Sequence, residues 1–135
     1  MMACPVLKVL IPEVLEKAFS IVVGLFEECG LTVENPGNSR ITTWSNSGDQ
    51  EEVAKGSLFS EVVNEHITNV QFWSSPGDDV FVSWKQDSSG CIFSFYLKGV
   101  DRAVAAELVL KFAEVVLVEY KLKYGDGDAL AITFE

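Results

Sequence analysis

Positive charge is what this sequence has least of. Ten Lys and Arg stand against twenty Asp and Glu in 135 residues, a net charge of −10 with a single His. A field of that sign repels phosphate backbones and anionic lipid, which argues against nucleic-acid and membrane binding, and it steers a basic protein partner inward. Cysteine is scarce as well. Cys4, Cys29 and Cys91 form no CxxC pair and no zinc spacing. They are read as small core thiols of a chain in a reducing compartment, with no disulfide framework and no metal site. Long apolar runs are missing too: the longest without a charge, Ala18 to Phe26, falls well short of the ~20 residues a membrane span needs. At the start, Met1-Met2-Ala3-Cys4-Pro5 has no basic stretch, and Lys8 and Pro12 break up the first apolar run. A signal peptide is therefore not expected, and a cytoplasmic location is. Gly24, Gly30, Gly37 and Gly48 are isolated, so there is no phosphate-cradling loop and no cofactor is expected.

What is present is a folded core. Hydrophobic residues make up 48% of the chain and aromatics 11%, enough for one domain, 1–135, without linker or repeat. Val6 to Ile11 reads as a strand or a lead-in to a helix. Pro12 to Cys29 carries apolar residues at three- and four-residue steps, from Val14 and Leu15 to Phe26, with Gly30 placed to end a helix. Leu31–Glu34 and Arg40–Trp44 have the composition of a first hairpin. From Gln50 to His66 the pattern is helical but broken at Gly56, with Ser47 and Gln50 spaced as a capping box.

The firmest stretch is Ile67 to Tyr124. Three strands, Ile67–Trp73, Val80–Lys85 and Cys91–Leu97, are joined by turns at Ser75-Pro76-Gly77-Asp78 and near Ser88 to Gly90. The Pro-Gly centre of the first turn predicts type II. The register that best separates polar from apolar puts Trp73, Val80, Val82, Trp84, Phe93, Phe95 and Leu97 on one face, and Phe72, Phe81, Ile92 and Tyr96 on the other. Asp101 is the N-cap of a helix to about Lys123, so apolar around its girth that burial on more than one side is expected. Leu130 to Phe134 closes the chain as a strand. The predicted class is α+β: a single antiparallel sheet of about five to six strands with two main helices packed on one face.

Catalytic constellations are thin. A Ser-His-Asp or Cys-His arrangement has to pass through His66, and no nucleophile sits in a recognisable motif. Glu119 falls inside the apolar arc of the last helix, either as a buried carboxylate or where that helix emerges into solvent. His66 or Glu119 in a pocket would be the basis of an enzyme. A protein-binding module without catalytic residues is the preferred reading. Its candidate partner-binding residues are Glu51, Glu52, Glu61 and Glu65 in the helical middle, and Asp78, Asp79 and Asp87 on the hairpin loops. The Phe72/Phe81/Tyr96 face is either covered by Glu51–Asn64 or open to a partner.

In size, charge and order of elements the chain resembles immunity proteins of bacterial polymorphic-toxin systems. That resemblance rests on overall build, not on a motif. It implies a toxin inhibitor that binds a basic toxin and covers its active site with an acidic surface. The hairpin followed by an amphipathic helix also looks like class I type III secretion chaperones, which bind an extended effector segment. The strand after the long helix and the insertion before the three-strand meander depart from that pattern.

Overall fold

The computed structural model describes residues 3–135. Met1 and Met2, the first residues of the start judged not to be a signal peptide, lie outside them. In chain order the elements are β1 (Pro5–Ile11), α1 (Leu15–Glu28), β2 (Ile41–Trp44), β3 (Gln50–Val53), α2 (Leu58–Val63), β4 (Asn69–Ser75), β5 (Asp78–Asp87), β6 (Gly90–Tyr96), α3 (Arg102–Glu114) and β7 (Leu130–Phe134). Five strands make one antiparallel sheet in the order β4-β5-β6-β1-β7, and β2 and β3 form a separate two-stranded ribbon. The fold is α+β, as the sequence predicts, with a small ribbon beside the main sheet. Among the described residues no helix is long and apolar enough to cross a membrane.

Alternation places the core. Leu7, Val9 and Ile11 of β1 stand beside Phe95, Phe93 and Cys91 of β6, which continue into Val82 and Trp84 of β5, and all are buried. Helix α1 lays Leu15, Ala18, Phe19, Val22 and Phe26 on this face. It ends where Gly30 takes a positive φ of 82°. There the Gly30 and Leu31 amides donate to the Glu27 and Phe26 carbonyls, closing a Schellman turn. Phe26 is the centre of the aromatic core, with ring centroids 4.4 Å from Phe72, 5.0 Å from Phe95 and 5.9 Å from Phe112. Asp101 caps α3 by accepting the Val104 amide at 3.0 Å. The helix loosens into a π turn over Val115–Glu119 and a 3-10 turn over Lys121–Lys123.

Several sequence expectations change. Residues Gln50–Val53 are strand, not helix, and pair with β2 in the register Thr43↔Glu51 and Thr42↔Glu52. The expected partner strand, Leu31–Glu34, keeps only isolated bridges, Thr32↔Trp73 and Glu34↔Ile41. In β4 the core residue is Phe72, opposite Val80; Trp73 lies opposite Asp79, and the register shifts between Trp73 and Ser75. That irregularity exchanges the two aromatics relative to the predicted register. Gly77 does not take a positive φ, so the Pro76-Gly77 connection is not type II. The α2 segment packs on α1 and does not cover the back of the sheet. There, Phe81 and Tyr96 stack edge to face at 5.6 Å, each half-buried. Glu119 is exposed, because the π turn over Val115–Glu119 turns it to solvent while its neighbour Tyr120 stays in the core. Helix α3 is not buried all round either: Leu110, Leu117 and Val118 in and after it are exposed.

Candidate functional site

Four of the predicted site residues meet around His66. Glu51, Glu52, Glu61 and His66 line an open cleft of about 520 Å³ between the β2–β3 ribbon and α2. Glu65 and Trp44 border an adjoining hollow of about 250 Å³ that shares Glu51 and His66. Two local devices hold its walls. The ribbon is fastened to β4 by the buried Asn69. Its Nδ2 donates to the Trp44 carbonyl at 2.9 Å, its Oδ1 accepts the Trp44 amide at 2.8 Å, and its own carbonyl accepts the Thr43 hydroxyl at 2.7 Å. The Trp44 indole then donates to Gln71 Oε1 at 2.9 Å, which holds the ring at the rim.

The second wall is the end of α2. The Glu65 and His66 amides donate to the Val62 and Glu61 carbonyls, a Schellman turn like that of α1. Its left-handed position, however, is filled by Glu65, at φ 60°, where glycine is the ordinary choice. This turn sets His66 Nδ1 3.2 Å from Glu61 Oε2 and lets Glu65 accept from Gln86 Nε2 at 3.3 Å. The imidazole side chain is 63% exposed. Glu52 faces Arg40 at 3.8 Å. Among the described residues neither Glu51 nor Glu65 forms an ion pair.

The other predicted residues lie elsewhere. Asp78 accepts the Ser75 hydroxyl at 2.8 Å and Asp79 accepts Gln71 Nε2 at 2.7 Å. Both are at the start of β5, and Asp87 is at its far end, about 30 Å away at strand rise. Asp87 accepts the Ser89 amide at 2.7 Å within the β5–β6 turn. It lines a separate hollow of about 470 Å³ with Lys123, Tyr124 and Asp126. The seven acids therefore do not form one surface; four form a site and three shape turns. Sequence reasoning missed Trp44, Asn69 and Gln71. The signal was faint: one buried Asn fastening a ribbon leaves no periodic trace.

The nucleophile inventory is weak in chemical terms. Burial pushes the Cys29 thiol up to about 11, with Glu107 adding to the shift. Burial likewise raises Cys91, whose Sγ lies 3.5 Å from the Glu13 carbonyl. Both thiols stay protonated at neutral pH, the unreactive form. Among the described residues no three His, Cys, Asp or Glu side chains converge as a metal ion would require.

Comparison with protein-family models, curated proteins and solved structures returns no match. What bears on function is the pair of adjoining hollows: acidic, open, bordered on one side by Trp44, and with two carboxylates that no ion pair among the described residues neutralises.

Proposed function

We propose that this chain is an acidic protein-binding module, an immunity protein that neutralises a basic toxin in the cytoplasm by seating on it and covering its active site. The observation that carries this is the gathering of Glu51, Glu52, Glu61 and Glu65 around two adjoining hollows that share Glu51 and His66, one of them bordered by the partly exposed Trp44. An aromatic beside unpaired carboxylates suits a Lys- or Arg-bearing loop, whose stem packs on the ring while its head meets the acids. The overall charge of −10 adds long-range steering toward such a partner. The module acts by occupancy and not by turnover, in keeping with an exposed His66 whose side-chain partner among the described residues is Glu61.

The test is to find whether a basic, toxin-like reading frame lies next to the gene and to co-express its product with this protein. Rescue of growth by the wild-type protein is expected, and so is a loss of association of about tenfold or more on reversing the charge of Glu51 and Glu65 together. Unchanged lethality on co-expression would sink the proposal. His66→Ala is expected to rescue as well as wild type; loss of rescue in a folded His66→Ala protein would point to catalysis instead.

A further inference from the structure

The two edges of the main sheet are finished differently. The β4 edge is covered: Thr32 exchanges amide–carbonyl bonds with Trp73, and Thr43 and Trp44 bond to Asn69. The β7 edge is bare among the described residues, where β7 pairs only with β1. Cys4 and Glu135 bond reciprocally, and the Leu10 amide donates to the Ala129 carbonyl. By the alternation of an antiparallel ladder, the odd residues of β7 therefore face β1. Leu130, Ile132 and Phe134 turn their N–H and C=O groups to the open edge. The same residues carry the apolar side chains on the helix side of the sheet, opposite Val9, Leu7 and Pro5. Ile132 is 51% and Phe134 69% exposed. None of the usual protections of an edge is present in Leu-Ala-Ile-Thr-Phe: no charge, no proline, no bulge.

Helix α3 continues this surface. Lys111 is tied to Glu28 on the α1 side, so the half-buried Val109, Ala113 and Val116 form the opposite flank. Phe112 sits on Phe95 of β6, whose row runs on through Leu7 to Ile132, so that flank faces the β1 and β7 side of the sheet. Leu110 and Leu117 stand next to that flank, 59% and 67% exposed.

We propose that this edge pairs with the β7 edge of a second copy of the chain. Antiparallel pairing centred on Ile132 places Ile132 against its own counterpart and Leu130 against Phe134, an isologous and closed arrangement in which every outward amide of β7 finds a carbonyl. The two sheets become one of ten strands, and the two α3 flanks meet across the twofold axis. Paired strands and four large apolar side chains bury roughly 500–600 Å² per copy, the low end of interface size, where association is weak and reversible. No charged side chain belongs to β7 itself, so the opposing term is the long-range repulsion between two chains of net charge −10. Salt screens that repulsion, and the dimer therefore tightens as ionic strength rises.

The β7 edge is remote from the cleft, which lies at the β4 end of the sheet, and the two respond to salt in opposite directions. Sedimentation velocity of the full chain over about 1–200 µM, in ~0.1 M and ~0.5 M NaCl, reads the dimer directly. Expected is a monomer–dimer equilibrium whose dissociation constant falls several-fold at the higher salt. Ile132→Pro, which removes one outward N–H and leaves the β1 ladder intact, is expected to sediment as monomer with an unchanged melting midpoint. Ile132→Lys gives the same readout should the proline variant not fold. A wild-type monomer at the highest concentration and salt overturns the proposal; so does a dimer that survives both substitutions, or growth beyond dimer. Charge reversal at Glu51 and Glu65 is expected to leave the sedimentation unchanged, which separates failure here from failure of the toxin-binding proposal.

Discussion

At the scale of single residues, Glu65 is where local rules are broken. A glutamate with φ 60° occupies the glycine position of the turn that ends α2, next to the cleft it helps to line. Glu65→Gly is expected to raise unfolding free energy by up to about 1 kcal/mol, relief of the left-handed backbone exceeding the added freedom of the unfolded chain. In the toxin assay the same variant should bind more weakly. Denaturant unfolding and affinity measured on one preparation check both halves. Phe26, packed between Phe72, Phe95 and Phe112, marks the opposite extreme: Phe26→Ala should cost about 3–5 kcal/mol, enough to leave a marginal or unfolded chain in a thermal melt. Glu13 supplies a pH signature. Hydrogen bonds from Lys17 and from the Tyr120 hydroxyl hold its carboxyl below the ordinary 4.5, so its ionised form favours the fold. That contribution is complete above 4.5 and fades as pH falls through the lowered value. The stability difference between wild type and Glu13→Gln is thus expected at neutral pH and should vanish in acid, as unfolding titrations at several pH values would show.

At the scale of elements, the β2–β3 ribbon depends on one side chain. Asn69→Ala removes four side-chain hydrogen bonds and leaves the Trp44 amide and carbonyl without their buried partner. A loss of about 2–3 kcal/mol is expected, with faster hydrogen exchange confined to Ile41–Val53 if the ribbon detaches before the sheet melts. The ribbon is also where the sequence was hardest to read. Gln-Glu-Glu-Val followed by Ala-Lys favours helix by composition, and only the pairing with Ile41–Trp44 overrides it. The meander was legible because Val80, Val82, Trp84, Phe93 and Phe95 alternate without interruption, and the Trp84↔Phe93 register follows from them. It failed one strand earlier, where two adjacent aromatics, Phe72 and Trp73, fit either face and an irregularity at the turn decided between them. The acids of the cleft were picked out by charge alone. Which four would converge depended on the ribbon's being strand and on the close of α2, neither of which has a linear signature.

At the scale of the whole molecule, charge and topology set the behaviour. Repulsion within a chain of −10 is relieved by counterions, so the melting midpoint should rise with moderate salt while toxin association slows; a melt series and stopped-flow association at matched salt would check the pair. The sheet order adds a constraint in time. Strand β1, near the start of the chain, lies between β6 and β7, and its ladder to β7 joins Pro5 to Phe134. Loop closure over nearly the full length has to precede that pairing, which belongs to the slow, non-local end of folding. During synthesis, β1 can find β6 only after Tyr96 has been made, and its other side stays uncovered until Leu130–Phe134 follow. Until Leu130–Phe134 have been made, the nascent protein therefore carries an open edge on an interior strand of its sheet, and β7 is the strand that shuts it.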